Sequence, residues 1–125
     1  WCAPCKKSFP AMQQLVENYK NDKTVAFYFI NVNETKKDYK ALSASYFKEN
    51  QLDELVVLFD QKGERKRTNN VTFSKFASLF NSSGIPRKVV IKNGKIRFTS
   101  EGYSGNPDEL KEEITTVIEL LKTEN

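Results

Sequence analysis

No histidine occurs in this chain, and only two of its 125 residues are cysteine. The first absence removes Ser-His-Asp and Cys-His chemistry, which would lack their base. The second limits metal binding. A zinc site normally takes four Cys or His ligands, or three and a water. Two thiols reach that number only with carboxylates or a second chain. A disulfide framework for a small secreted fold would also spread more cysteines along the sequence. Long apolar runs are missing too. The longest, Val25 to Ile30, falls far short of the ~20 residues that cross a bilayer as a helix. There is no internal repeat and no low-complexity tract. Charge is weakly biased, with 20 basic and 16 acidic side chains for a net +4. The densest basic stretch, Lys62-Gly63-Glu64-Arg65-Lys66-Arg67, holds no aromatic residue and includes a glycine. It reads as a solvated loop and not as a nucleic-acid surface. The length and the 38% hydrophobic content suit one ordinary domain with one core.

Both cysteines lie in one motif, Trp1-Cys2-Ala3-Pro4-Cys5-Lys6-Lys7. Cys5, Phe9, Met12, Val16 and Tyr19 recur at helical spacing and predict an amphipathic helix with that stripe buried. Cys2 then sits at or just before the first turn. Cys5 follows about one turn later, where residues three apart are neighbours. A helix N-terminus offers unpaired N–H groups and the positive end of the dipole. Both favour a thiolate at Cys2, and Lys6 and Lys7 add positive potential. A thiol so placed falls below its free pKa of about 8.5. Cys2 is therefore expected to be the exposed nucleophile, and Cys5 the more buried resolving thiol. Pro4 stiffens the turn between them. Two other readings of a bare CxxC stay open: a structural disulfide, and half of an intermolecular metal site.

Further along, Val25–Ile30 predicts a strand buried on both faces. Residues 36 to 49 predict a helix with Tyr39, Leu42 and Tyr46 on one side. Leu55–Phe59 reads as a short strand and residues 61 to 71 as a loop. Phe73, Phe76, Ala77 and Phe80 predict a short helix ending near Asn81. Asn93-Gly94 between the runs Lys88–Ile91 and Lys95–Phe98 is a strong hairpin signal. Asn106-Pro107-Asp108-Glu109 predicts the start of a last helix. Asn106 is its N-cap, Pro107 its first residue, and Glu109 completes a capping box. Leu110, Ile114, Val117, Ile118 and Leu121 form its buried stripe. This alternation suits an α/β domain.

The motif Trp1-Cys2-Ala3-Pro4-Cys5 with Lys6-Lys7 and Phe9-Pro10 resembles the TlpA/ResA-like branch of the thioredoxin superfamily. The resemblance spans nearly the whole chain and is specific at Trp1–Cys5 and at Ile85-Pro86, which is similar to the family's cis-proline loop. It implies a thioredoxin-like fold across residues 1–125, a central mixed sheet flanked by helices. Residues about 34 to 60 would occupy the place of the TlpA-type helix-strand insertion. It implies a thiol-disulfide oxidoreductase that exchanges the Cys2/Cys5 pair with protein thiols and needs no further cofactor or metal. Trp1, Ile85 and Pro86, with Gly102 and Tyr103, would line the substrate groove. Ala3, Pro4 and Lys6 would tune the dithiol. The expected partners are protein thiol or disulfide substrates and an upstream redox partner, with no nucleic acid. The expected location is extracytoplasmic, in the periplasm or cell envelope, and the expected role is that of a reductant in cell redox homeostasis. Two departures stand out. Ser8 replaces an acidic residue that follows the two lysines in ResA-like proteins. The strand that precedes the CxxC helix in this fold is absent, which implies an N-terminally truncated domain. A membrane tether could then lie upstream, and the strand at Val25–Ile30 would need another partner, either a segment of a second chain, as in a strand-completing dimer, or a rearranged pairing within the sheet. The alternative to the enzyme is a non-catalytic thioredoxin-like binding module with a structural or vestigial disulfide.

Overall fold

A computed structural model describes residues 1–64 and 67–124. Eight elements follow in order: α1 (Ala3–Asn18), β1 (Phe29–Asn31), α2 (Tyr39–Glu49), β2 (Val57–Phe59), α3 (Val71–Phe80), β3 (Arg87–Lys92), β4 (Lys95–Glu101) and α4 (Pro107–Lys122). The chain is mixed α/β. Its strands form two separate two-stranded sheets, β1 with β2 and β3 with β4, where the sequence reading expects one central sheet. Among the described residues no strand pairs with both β1 and β3. The residues group into two compact units. One holds Tyr19–Ser83 with Trp1, and the other holds Cys2–Asn18 and the chain from Gly84 onward.

In the first unit, β1 and β2 run parallel, with Phe29 opposite Val57 and Asn31 opposite Phe59. Helix α2 makes the crossover that a parallel pair requires. Only one face of this sheet is covered. Phe29, Val57 and Phe59 are half-buried, whereas Tyr28 is 63% and Ile30 57% exposed. The expectation of a strand at Val25–Ile30 buried on both faces is therefore corrected. The ladder spans only Phe29–Asn31, and Tyr28 and Ile30 on its other face are exposed. On α2, Tyr39 is buried and Tyr46 half-buried, but Leu42 is exposed, which narrows the expected stripe. Tyr39 meets Phe59 edge-on at 5.7 Å. Leu52 and Leu55 are also buried.

Two polar side chains organise the rest of this unit. Asn69 is fully buried. Its amide donates to the Asn31 carbonyl (2.9 Å) and side chain (3.0 Å), and its Oδ1 accepts from the Glu34 N–H (2.7 Å). Asp60 is buried at the end of β2. Its carboxylate accepts from the N–H groups of Gln61, Thr72 and Phe73 at 2.8–3.0 Å. Thr72 and Phe73 lie in the first turn of α3, whose N-cap residue Asn70 makes no side-chain cap. A distant aspartate thus satisfies donors that a helix start leaves unpaired. Asn81 ends α3 in the left-handed region, with φ 50°. Of the basic stretch 62–67, Lys62 and Arg67 are exposed. Its Arg65 and Lys66 lie outside the described residues.

In the second unit, Asn93 (φ 52°) and Gly94 (φ 74°) turn the β3–β4 hairpin as expected. A bulge falls between Val90 and Ile91. The Asn106 side chain accepts from the Asp108 and Glu109 N–H groups, and Pro107 opens α4. The return half of the expected capping box is not made by Glu109. The Asn106 N–H donates to Ser104 Oγ at 3.3 Å. Leu110, Ile114 and Ile118 of α4 are buried, while Val117 and Leu121 are half-buried. Helix α4 packs against both α1 and β3. At its far end the Lys92 ammonium caps the Leu121 carbonyl, where positive charge is favoured.

The burial of α1 differs by a partial turn from the expected stripe. Ser8, Ala11 and Leu15 are its buried residues, and Cys5, Phe9, Met12 and Val16 are only half-buried. Tyr19, beyond the helix, is buried as expected. Small side chains at 8 and 11 permit the closest approach of a neighbouring helix. Hydrophobic periodicity weights large residues and passes over them.

Burial by itself would raise the Asp60 carboxyl, but the Phe73, Thr72 and Gln61 N–H groups outweigh it and hold it below the usual carboxylate range. A carboxyl depressed in the folded state stabilises the fold above its unfolded value of about 3.9. That contribution is lost as pH falls through the lower folded value. Asp60→Ala should cost about 1–3 kcal/mol at neutral pH by stranding these donors. Urea unfolding of both proteins checks this. The gap between them should narrow below about pH 4, and a gap unchanged down to pH 2 would show that the charge on Asp60 does not matter.

Candidate active site

Cys2 and Cys5 form a disulfide with Cα atoms 5.3 Å apart, within the usual span for such a bond. Cys2 is the residue just before α1. Its carbonyl accepts the first helical hydrogen bond, from the Lys6 N–H at 3.1 Å. Its Sγ accepts from the Cys5 N–H at 3.2 Å. The sulfur therefore occupies the place where a Ser or Asp oxygen normally caps a helix. In the oxidised pair this is a weak contact. On reduction the same N–H, with the helix dipole behind it, would face a thiolate and stabilise its charge. No acidic residue lies in the first turn of α1. Lys6 and Lys7 are exposed beside it, so the local field favours the anion.

Both cysteines are half-buried. In the oxidised pair Cys2 is therefore less open than an exposed nucleophile. The disulfide holds both sulfurs at the helix mouth. Ala3 and Pro4, which bridge them, are exposed. Ser8, where the family resemblance implies a carboxylate, is buried and donates its hydroxyl to the Cys5 carbonyl at 2.6 Å. Helix α1 also contains Pro10, whose missing N–H interrupts the helical ladder.

The Ile85-Pro86 peptide bond is cis. Both residues are half-buried and belong to the same compact unit as the dithiol. The loop is tied to the end of β4: the Gly102 N–H donates to the Pro86 carbonyl at 2.8 Å. Lys88 Nζ donates to the Gly102 carbonyl at 3.0 Å and pairs with Glu113 at 3.3 Å. Gly102 has φ 83°, a conformation that suits glycine. Tyr103 is half-buried. Of the expected groove residues, Ile85, Pro86, Gly102 and Tyr103 therefore share the dithiol's unit. Trp1 is 63% exposed and falls in the other unit.

Sequence reasoning missed Arg87. Its guanidinium donates to Thr99 Oγ1 (3.2 Å) and Glu101 Oε2 (3.1 Å), with its side chain only 9% exposed. It clamps the strand that follows the cis-proline to β4. Its place next to Pro86 was the one available signal. Glu101 also lies against Gly84, where any β-carbon would collide with its carboxylate.

Among the described residues, no group of three or more His, Cys, Asp or Glu side chains is placed to hold a metal, and no helix is long and apolar enough to cross a membrane. Comparisons with protein-family models, curated proteins and solved structures find no match.

The capping geometry has a direct readout. In the reduced protein, Cys2 should react with iodoacetamide at neutral pH faster than a free-cysteine peptide, and with a lower titration midpoint. Mass mapping of the first alkylated site checks both. Alkylation no faster than the peptide, or Cys5 reacting first, would show that the helix start does not activate Cys2.

Proposed function

We propose that this chain is a thiol-disulfide oxidoreductase of thioredoxin-like architecture, working by exchange through Cys2 and Cys5. One observation carries the proposal: a Cys2–Cys5 disulfide closed across the first turn of α1, with the Cys2 sulfur in the capping position. The cis Ile85-Pro86 bond, the β3–β4 hairpin and the closing helix α4 support the architecture.

In the reducing direction the Cys2 thiolate attacks one sulfur of a substrate disulfide. The substrate S–S bond breaks, one substrate thiolate leaves and takes up a proton, and a mixed disulfide forms at Cys2. Cys5 then loses its proton and attacks the Cys2 sulfur. The mixed disulfide breaks and the second substrate thiol leaves. Two electrons have passed to the substrate, and Cys2–Cys5 is oxidised. An upstream dithiol donor must reduce the pair again. The same steps reversed would oxidise a substrate dithiol. The family resemblance favours the reducing direction and a place outside the cytoplasm.

The decisive experiment is a mixed-disulfide trap. Cys5→Ser should accumulate disulfide adducts with reduced, partly unfolded protein substrates through Cys2, whereas Cys2→Ser should accumulate few. The equilibrium potential of the wild-type pair separates exchange from a structural role. A working dithiol should fall between about −270 and −120 mV. A value well below about −300 mV, with no trapped adduct, would mark a structural disulfide in a binding module.

A further inference from the structure

Lys88 and Ser100 stand directly opposite each other on β3 and β4, and Glu113 of α4 reaches both. Its Oε1 accepts from Ser100 Oγ at 2.7 Å and lies 3.3 Å from Lys88 Nζ. Lys88 donates a further bond, at 3.0 Å, to the carbonyl of Gly102, the residue just past the end of β4. The N–H of the same glycine donates to the Pro86 carbonyl at 2.8 Å. Gly102 is therefore held from both sides, its carbonyl by an ammonium and its N–H by the cis-proline loop. Its φ of 83° is a conformation that glycine tolerates and other residues resist.

The Lys88 side chain is only 15% exposed. Taking an ammonium out of water is costly, and an ion pair so placed recovers little net stability. Fastening the hairpin to α4 does not require it. Four residues on, Lys92 does that from the same strand, and among the described residues its bonds go only to Leu121 and Glu124. What Lys88 adds is the bond to Gly102. The ion pair with Glu113 aims the ammonium, and the ammonium holds the backbone that holds Pro86.

We propose that Lys88 is a positioning residue for the exchange. Through Gly102 it keeps the cis-proline loop in the shape that receives the chain of a peptide or protein disulfide, and so favours such substrates over small disulfides. The inference rests on the proposed exchange through Cys2 and Cys5, with Ile85, Pro86 and Gly102 lining the groove. A loop already ordered spares the entropy that binding a chain would otherwise cost. A small disulfide has no chain to lay in the groove and gains nothing from that order.

The test uses the full chain, reduced, in single turnovers followed by loss of its thiols. Two substrates share a 2-mercaptoethanol half: 2-hydroxyethyl disulfide, and an extended peptide whose one cysteine is joined to 2-mercaptoethanol. Lys88→Met, which keeps the aliphatic stem, should raise the half-saturating peptide concentration about fivefold or more, since ordering a single backbone residue costs a factor of that size. The limiting rate, the rate with the small disulfide and the alkylation midpoint of Cys2 should stay at their wild-type values, while the Gly102 amide should exchange faster. Glu113→Gln keeps an acceptor oxygen and should show the same selective loss in smaller measure. Lys92→Met should leave the kinetics with both substrates unchanged. Equal slowing with both disulfides, or equal effects of Lys88→Met and Lys92→Met, would reduce Lys88 to a brace of the fold. Unchanged peptide kinetics beside a faster Gly102 amide would show that the loop is held but not used. A wild-type chain that reduces neither disulfide would instead sink the exchange itself, and the inference with it.

Discussion

The buried seam between α1 and α4 carries the dithiol. Leu15 and Ala11 on one side, and Leu110, Ile114 and Ile118 on the other, are the apolar residues this unit buries most completely. Lys111 reaches across the seam to Gln14 at 2.7 Å. Helix α4 also packs on β3, so it joins the helix that bears the sulfurs to the hairpin that bears the cis-proline loop. Without that seam, Cys2 and Cys5 would sit on a sixteen-residue helix with a proline inside it. An isolated helix of that length is marginal in water, and proline weakens it further. The capping contact at Cys2 exists only while the first turn is formed. Packing far from the sulfurs therefore sets their electrostatics.

Much of this was legible in the sequence, for physical reasons that differ by element. The hairpin was readable because Asn93 and Gly94 adopt backbone angles that few other pairs tolerate. The start of α4 was readable because Asn106 and Pro107 each satisfy a constraint of the helix end. The dithiol was readable because two sulfurs three residues apart on a helix start leave little choice of geometry. What escaped was whatever depends on a partner remote in sequence. A continuous apolar run does not reveal how many of its faces are covered, so β1 was read as more buried than it is. Ser8 and Ala11 carry no hydrophobic signal, yet they lie where packing is tightest. Asp60 and Asn69 look like solvated loop residues until the N–H groups they serve, from α3 and from Glu34, are brought to them.

Polar burial has the same logic in both units. Each compact unit has a small apolar core, and side-chain hydrogen bonds, most of them to backbone, fix the segments that the core does not reach. Asp60 fastens α3 to the end of β2. Asn69 fastens the 34–37 loop to the loop before α3. Arg87 and Lys88 fasten the cis-proline loop to β4 and α4. Such bonds contribute modestly while intact and cost more when broken, because the buried partner is left without water. They therefore specify the loops more than they stabilise the whole.

The lack of histidine returns as a constraint on the proposed exchange. Cys5 must lose a proton before it can attack the mixed disulfide, and no imidazole is present to take it. Ser8, the buried group one turn below, already donates to the Cys5 carbonyl, and an un-ionised hydroxyl is a poor base. The first turn of α1 holds no carboxylate. Cys5 is half-buried and not sealed, so water reaches the helix mouth. Solvent and the departing substrate thiolate are then the natural acceptors of that proton. In the proposed exchange, the thiolate generated in the first step would be the stronger base of the two. On the proposed exchange the substrate itself would supply the base for its own release, and a site with no histidine and a capped sulfur would suffice for both steps.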